Sequence, residues 1–209
     1  MQMPIFEKYI DELLEKSTLD VPAWNIEKAR AGLKAGWNYI DGCMILALLE
    51  IYRATGEKKY YEFADAFIDH RVMEDGSIAG YRVEEYNIDN VNAGKTRFAL
   101  YEINGREKYR RAIDLIYSQI QTQPRTAEGN FWHKKIYPNQ VWLDGMYMGQ
   151  PFYMEYETKF NQRQHYNDIF SQFANVVKNM RDRETGLYYH GYDASREVFW
   201  CDRETGLSR

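Results

Sequence analysis

One spacing recurs three times along this chain and limits its fold more than any other feature. Tyr60, Phe63, Ala64, Phe67 and Ile68 fall at i, i+3, i+4, i+7 and i+8. The register returns at Tyr109, Ala112, Ile113, Ile116, Tyr117 and Ile120, and again at Tyr166, Ile169, Phe170, Phe173, Ala174 and Val177. Side chains so spaced share one face of a 3.6-residue helix, so each segment reads as an amphipathic helix packed by one stripe. Before each lies a more evenly apolar stretch: Gly42 to Ala54, Val91 to Ile103 and Leu143 to Tyr156. A helix apolar on all sides is buried between neighbours. Gly56 and Gly105 stand where a left-handed residue would close the first two of these helices.

The repeating unit is therefore inner helix, short turn, outer helix and long loop, with a period on the order of 50 residues. Such hairpins side by side predict an all-α toroid, evenly apolar helices inside and amphipathic ones outside. A further helix is expected near Pro4 to Lys16. No run is long enough to suggest a sheet, though short hairpins are expected near Ser77 to Tyr81 and Leu187 to His190.

Composition narrows the function. With 209 residues, 44% of them hydrophobic, one substantial core is affordable. A net charge of -4 without a basic run argues against nucleic acid. Cys43 and Cys201 form no CxxC pair, which argues against a disulfide framework or a zinc site. The N-terminus lacks the pattern of a signal peptide, and no segment approaches the ~18 to 20 apolar residues of a membrane span. A cytoplasmic protein is the expectation.

Parallel inner helices in such a ring open their N-termini at the same mouth. Asp41, Asp89 and Asp144 each stand at the start of one, which would gather three carboxylates there. Helix capping explains each aspartate singly. It does not explain why Trp37, Tyr39, Tyr86 and Trp142 stand beside them. Flanking rings suit stacking on a sugar face.

These segments resemble family 105 of the glycoside hydrolases, the unsaturated rhamnogalacturonyl hydrolases, with the unsaturated glucuronyl hydrolases of family 88 as relatives. The matching pieces are Trp37-Asn38-Tyr39-Ile40-Asp41-Gly42, Asn87-Ile88-Asp89-Asn90-Val91-Asn92-Ala93-Gly94-Lys95, Trp132-His133-Lys134-Lys135, Gln140-Val141-Trp142-Leu143-Asp144-Gly145-Met146-Tyr147-Met148 and Tyr189-His190-Gly191-Tyr192-Asp193. The resemblance implies an (α/α)6 toroid. It also implies a substrate left by pectin-type lyases, an oligosaccharide whose terminal uronic acid carries a C4=C5 double bond. Asp144 matches the family's acid/base residue and Asp89 its second carboxylate. His190, Trp142 and Lys134 match residues lining the sugar subsite. Trp37, Tyr39 and His133, inside matching segments, complete the expected substrate-binding set, although Trp37 and Tyr39 equally suit a wedge at the first inner helix. No metal or cofactor is implied, nor any nucleic-acid or membrane partner, and the oligomeric state is not legible.

The implied chemistry is hydration. An aspartic acid protonates C4, water adds at C5, and the hemiketal opens to release the sugar beyond. Two other readings stay open: an inverting glycosidase on the same toroid using Asp89 and Asp144, and a non-catalytic helical-repeat binding module. The family carries six hairpins, whereas about three are legible here. The tail repeats Asp182–Leu187 as Asp202–Leu207. The expectation is one toroid domain over residues 1–209, incomplete at its C-terminus and holding roughly the N-terminal half of the ring.

Overall fold

All three expected outer helices form in the computed structural model, which describes residues 4–208. The elements are α1 (Pro4–Glu15), α2 (Ile26–Arg30), α3 (Tyr39–Thr55), α4 (Lys58–Asp69), α5 (Ile88–Asn92), α6 (Thr96–Asn104), α7 (Glu107–Thr122), β1 (Gln140–Trp142), α8 (Leu143–Phe160), α9 (Tyr166–Met180) and β2 (Gly191–Asp193). The fold class is all-α, built of helical hairpins. No described helix is long and apolar enough to cross a membrane. The chain divides into two compact units. One holds the chain up to Tyr81 with Ala93–Ile113, the other Arg82–Asn92 and everything from Asp114 onward.

In the first unit α3 and α4 form a hairpin. The Asn38 side chain caps α3 by accepting from Asp41 N–H, and Gly56 closes it at φ 77°. The outer stripe buries Tyr60, Ala64, Phe67 and Ile68 in a core that also holds Ile45, Leu48 and Leu49. Phe63, at the edge of that stripe, packs against Trp24. Tyr109 buries its ring and donates its hydroxyl to Asp65 at 2.7 Å.

The second inner helix is not continuous as expected. It breaks into α5, a 3-10 turn at Ala93–Lys95, and α6. Thr96 Oγ1 and Arg97 Nη1 both donate to the Ala93 carbonyl, each at 2.9 Å, drawing it off the regular helical ladder. The boundary between the units falls at this break. Gly42 of α3 meets the turn: a Cβ there would lie 2.6 Å from Ala93 Cα.

The second unit is built on α8 and α9, with β1 and β2 as an antiparallel ribbon pairing Gln140 with Asp193, Val141 with Tyr192 and Trp142 with Gly191. The ribbon is too short to count as the sheet that the sequence argued against, but its pairing of two distant segments was not among the short hairpins expected. Each strand has three residues and its partner lies far along the chain, so neither carries a period-two signal. Val141 and Tyr192 pack with Met146, Val176 and Met180.

The third stripe is also corrected. α9 buries Ile169, Gln172, Val176 and Met180, while Phe170, Phe173 and Val177 are 60%, 44% and 49% exposed. The helix is turned about a quarter of a rotation from the apolar register. Gln172 explains the turn. Its Oε1 accepts from Phe131 N–H at 3.2 Å and Gln150 Nε2 at 3.0 Å, bonds available only if that face points inward.

Gly42→Ala should destabilise the protein by about 1 to 3 kcal/mol, because the added methyl meets backbone that cannot swing aside. Urea unfolding would show this as a lowered midpoint with an unchanged slope.

Candidate active site

Asp89 and Asp144 come together in the second unit, held by backbone hydrogen bonds from three segments. The 132–140 loop is tied at both ends: Ile88 N–H donates to the His133 carbonyl and His133 N–H to the Gln140 carbonyl, each at 2.9 Å. The first bond fixes α5, which carries Asp89, and the second fixes β1, which leads into Asp144. Leu143 N–H donates to the His190 carbonyl at 2.8 Å, so the ribbon that starts α8 also places His190. Asp89, His133 and Asp144 each present one donor atom, and the three lie within 4.8 Å of one another.

The two carboxylates differ in surroundings. Asp89 is mostly buried, with Oδ2 2.7 Å from Lys134 Nζ and Oδ1 3.1 Å from His133 Nε2. The imidazole meets Oδ1 obliquely, since that oxygen has no well-aligned donor, and the contact is chiefly electrostatic. Burial pushes the Asp89 pKa up, but His133 and Lys134 together pull it below the ordinary 3.8. Asp89 is thus a fixed negative charge at neutral pH. The Asp144 side chain is 42% exposed, and among the described residues its ion-pair partner is His190, whose Nε2 lies 3.9 Å from Oδ1. It lies in the first turn of α8, whose N-cap is Trp142, and caps nothing with its side chain. Its Oδ1 makes no hydrogen bond in the chain. The capping explanation fails for this residue.

Gly145 makes the close approach possible. A Cβ there would fall 2.7 Å from His133 Nδ1, so only glycine lets the imidazole press on the first turn of α8. Trp142 is held from two sides, by His190 with ring centroids 5.2 Å apart and by Trp200 at 5.0 Å. The Trp200 ring also lies against Gly191, where a Cβ would sit 3.1 Å from it.

Of the expected site residues, Asp89, Asp144, His133, Lys134, Trp142 and His190 are neighbours. The Lys134 ammonium pairs with Asp89 at 2.7 Å. Trp37 and Tyr39 belong to the first unit. The Trp37 ring is buried there under the Arg97 guanidinium at 4.0 Å and against Tyr81 at 6.2 Å. Arg97 covers its face and Tyr81 its edge, which corrects the stacking role in favour of the wedge. Tyr39 is the first residue of α3 and 41% exposed. Asp41, in the same unit, accepts from Trp24 Nε1 and Asn38 Nδ2, each at 2.8 Å.

Trp200 escaped the sequence reading, and Asp193 was named there only as the end of a matching segment. Asp193 is wholly buried. Its Oδ1 accepts from Ser195 Oγ at 2.8 Å, and its Oδ2 from the backbone N–H groups of Glu197 at 2.8 Å and Val198 at 3.1 Å. These bonds shape the loop that delivers Trp200 to Trp142. The signal in the sequence was an aspartate two residues before a serine, the pattern of a side-chain-closed turn. As a cation site, the Asp89, His133 and Asp144 donors compete with Lys134, which already neutralises one carboxylate.

A family model described as Glycosyl Hydrolase Family 88 matches residues 9–209. The solved structure of a family 105 glycoside hydrolase from C. acetobutylicum aligns with a TM-score of 0.84 at 41% identity, covering 94% of this chain and 51% of that one. A candidate family 105 member from Klebsiella pneumoniae aligns at 0.70 and 23% identity, covering 79% of this chain and 43% of that one. A family 88 glycosyl hydrolase from Bacteroides vulgatus aligns at 0.54 and 19%, covering 83% and 49%. The last two likenesses carry the fold alone. The chain spans about half the length of these solved structures, and its fold class is the all-α toroid read from the sequence.

Because the folded-state pKa of Asp89 is depressed, its ionisation stabilises the fold above the unfolded value, about 4, and that contribution is lost as pH falls through the folded value. The stability gap between the native protein and Asp89→Asn should therefore be widest near neutral pH and close in acid. Urea titrations of both proteins at a series of pH values would measure it.

Proposed function

We propose, from the premise that this chain belongs to glycosyl hydrolase family 88, that it serves the hydrolysis of unsaturated uronyl oligosaccharides left by pectin lyases. The observation that carries the reading is the pairing of a charge-compensated carboxylate, Asp89, with an uncompensated one, Asp144, within 4.8 Å. Protonated Asp144 delivers its proton to C4 of the double bond. Positive charge then develops at C5 and the ring oxygen, where the fixed charge of Asp89 stabilises it. Water adds at C5 and returns a proton to Asp144, so the acid is regenerated. The resulting hemiketal opens at its C5–O bond, and the sugar attached at C1 leaves.

Trp142, braced by Trp200 and His190, provides the aromatic wall against which the unsaturated ring lies. His190 is largely exposed beside Asp144 and is placed to hydrogen-bond the sugar. Lys134 acts through Asp89 and holds its charge.

The inverting-glycosidase reading fits less well. That chemistry needs carboxyl groups about 6.5 to 9.5 Å apart to admit a water between them. One oxygen of each carboxylate lies within 4.8 Å of the other, closer than that span.

The test is the decay of ultraviolet absorbance of an unsaturated disaccharide with the full-length protein. Asp144→Asn should slow it by about 10² to 10⁴-fold or more, roughly 3 to 5 kcal/mol of barrier. Turnover of the saturated disaccharide at a comparable rate would overturn the hydration mechanism.

A further inference from the structure

The second unit holds a small cavity with about 10 Å³ of room, lined by residues that include His133, Gly145, Gln150 and Gln172. That is the space of one water molecule. Two of these lining residues each carry a buried polar atom without a partner. His133 Nδ1 and Gln150 Oε1 make no hydrogen bond in the chain, and their residues are 6% and 3% exposed.

The direction of the surrounding hydrogen bonds fixes what these atoms need. Phe131 N–H, a backbone donor, points at Gln172 Oε1. At the other end of that amide, Gln172 Nε2 donates at 3.2 Å to Asp168, a carboxylate held in a two-pronged pair by Arg125. A donor at one end and an acceptor at the other leave the Gln172 amide one orientation. Its Oε1 also receives Gln150 Nε2 at 3.0 Å, so Gln150 must turn its own oxygen away as an unsatisfied acceptor.

His133 completes the site. Its Nε2 faces the Asp89 carboxylate at 3.1 Å, and a ring nitrogen beside a negative charge carries the proton. In the neutral imidazole Nδ1 is then an acceptor. The cavity thus presents two acceptors, Nδ1 and Gln150 Oε1, which cannot satisfy each other. A small ligand with two donor hydrogens satisfies both.

We infer that a single internal water binds here, donating to His133 Nδ1 and Gln150 Oε1, and that Gln150 is through it a positioning residue for His133. The chain of bonds then runs from Arg125 through Asp168, Gln172, Gln150 and the water to His133, which meets Asp89. Its effect is to hold His133 in the Nε2–H tautomer facing the carboxylate. The site stands apart from the proposed activity, since no substrate enters its logic.

The test is an atomic-resolution crystal structure of the full-length protein, with nitrogen-15 spectra of its histidine side chains. The expected result is one ordered water within hydrogen-bonding distance of both atoms, and a signal of the Nε2–H form for the neutral His133 ring. Gln150→Leu should expel the water and let the Nδ1–H form appear, whereas Gln150→Glu, which keeps an acceptor, should retain the water. No density between the two atoms in the native protein, or a native His133 protonated at Nδ1 alone, would overturn the inference. So would a water that persists in Gln150→Leu. The native measurements decide the matter even if a variant fails to fold.

Discussion

The hydrogen bond from Leu143 N–H to the His190 carbonyl joins two stretches of chain on which the site depends. It extends the β1–β2 ribbon by one step into the start of α8. A three-residue ribbon contributes little by itself, since isolated strand pairs are marginal in water. Here its inner face is buried, because Val141 and Tyr192 pack with Met146, Val176 and Met180. Apolar burial therefore holds the register, and the register sets where Trp142, Asp144 and His190 stand. A slip of one residue would turn Trp142 from one face of the ribbon to the other.

The division of labour between the two acids follows from what each helix start meets. Asp89 enters a crowded loop with a lysine and a histidine, and loses most of its exposure. Burying a charge is costly unless it is paired, so that site selects for ionisation with compensation. Asp144 emerges at the open end of α8 with one oxygen lacking a partner in the chain. That oxygen is itself buried, while the side chain as a whole keeps 42% of its exposure and so remains open to a ligand. The same two residues with their neighbours exchanged would not have separable roles.

Much of this was legible in the residues because it is periodic or clustered. The outer stripes at Tyr60 and Tyr109 are buried as their spacing requires. The Trp142-Leu143-Asp144-Gly145 string does begin a helix, and its glycine has a steric reason that adjacency alone does not reveal. Most of the misreadings rest on a contact between residues distant in sequence, and the break around Val91 on a local one. The α9 stripe failed because Gln172 is satisfied by Phe131 and Gln150, so a polar residue took the core face and phenylalanines were left outside. The inner helix around Val91 failed because two side chains compete for the carbonyl of Ala93. The stacking role of Trp37 failed because Arg97, silent in any motif, lies over its ring. Trp200 was missed because the ring it braces is far from it along the chain.

The Asp193 carboxylate bears on how the sequence of this loop can vary. One buried anion organises the residues from Ser195 to Val198 and so fixes the distance over which the backbone must travel to reach Trp200. Side chains between them point outward and are free to change, as the exposed Arg196 and Glu197 illustrate. The number of residues is not free. An insertion or deletion of a single position would leave a charge stranded in the interior and withdraw the indole from its partner, so homologous chains should differ here in spelling but agree in length.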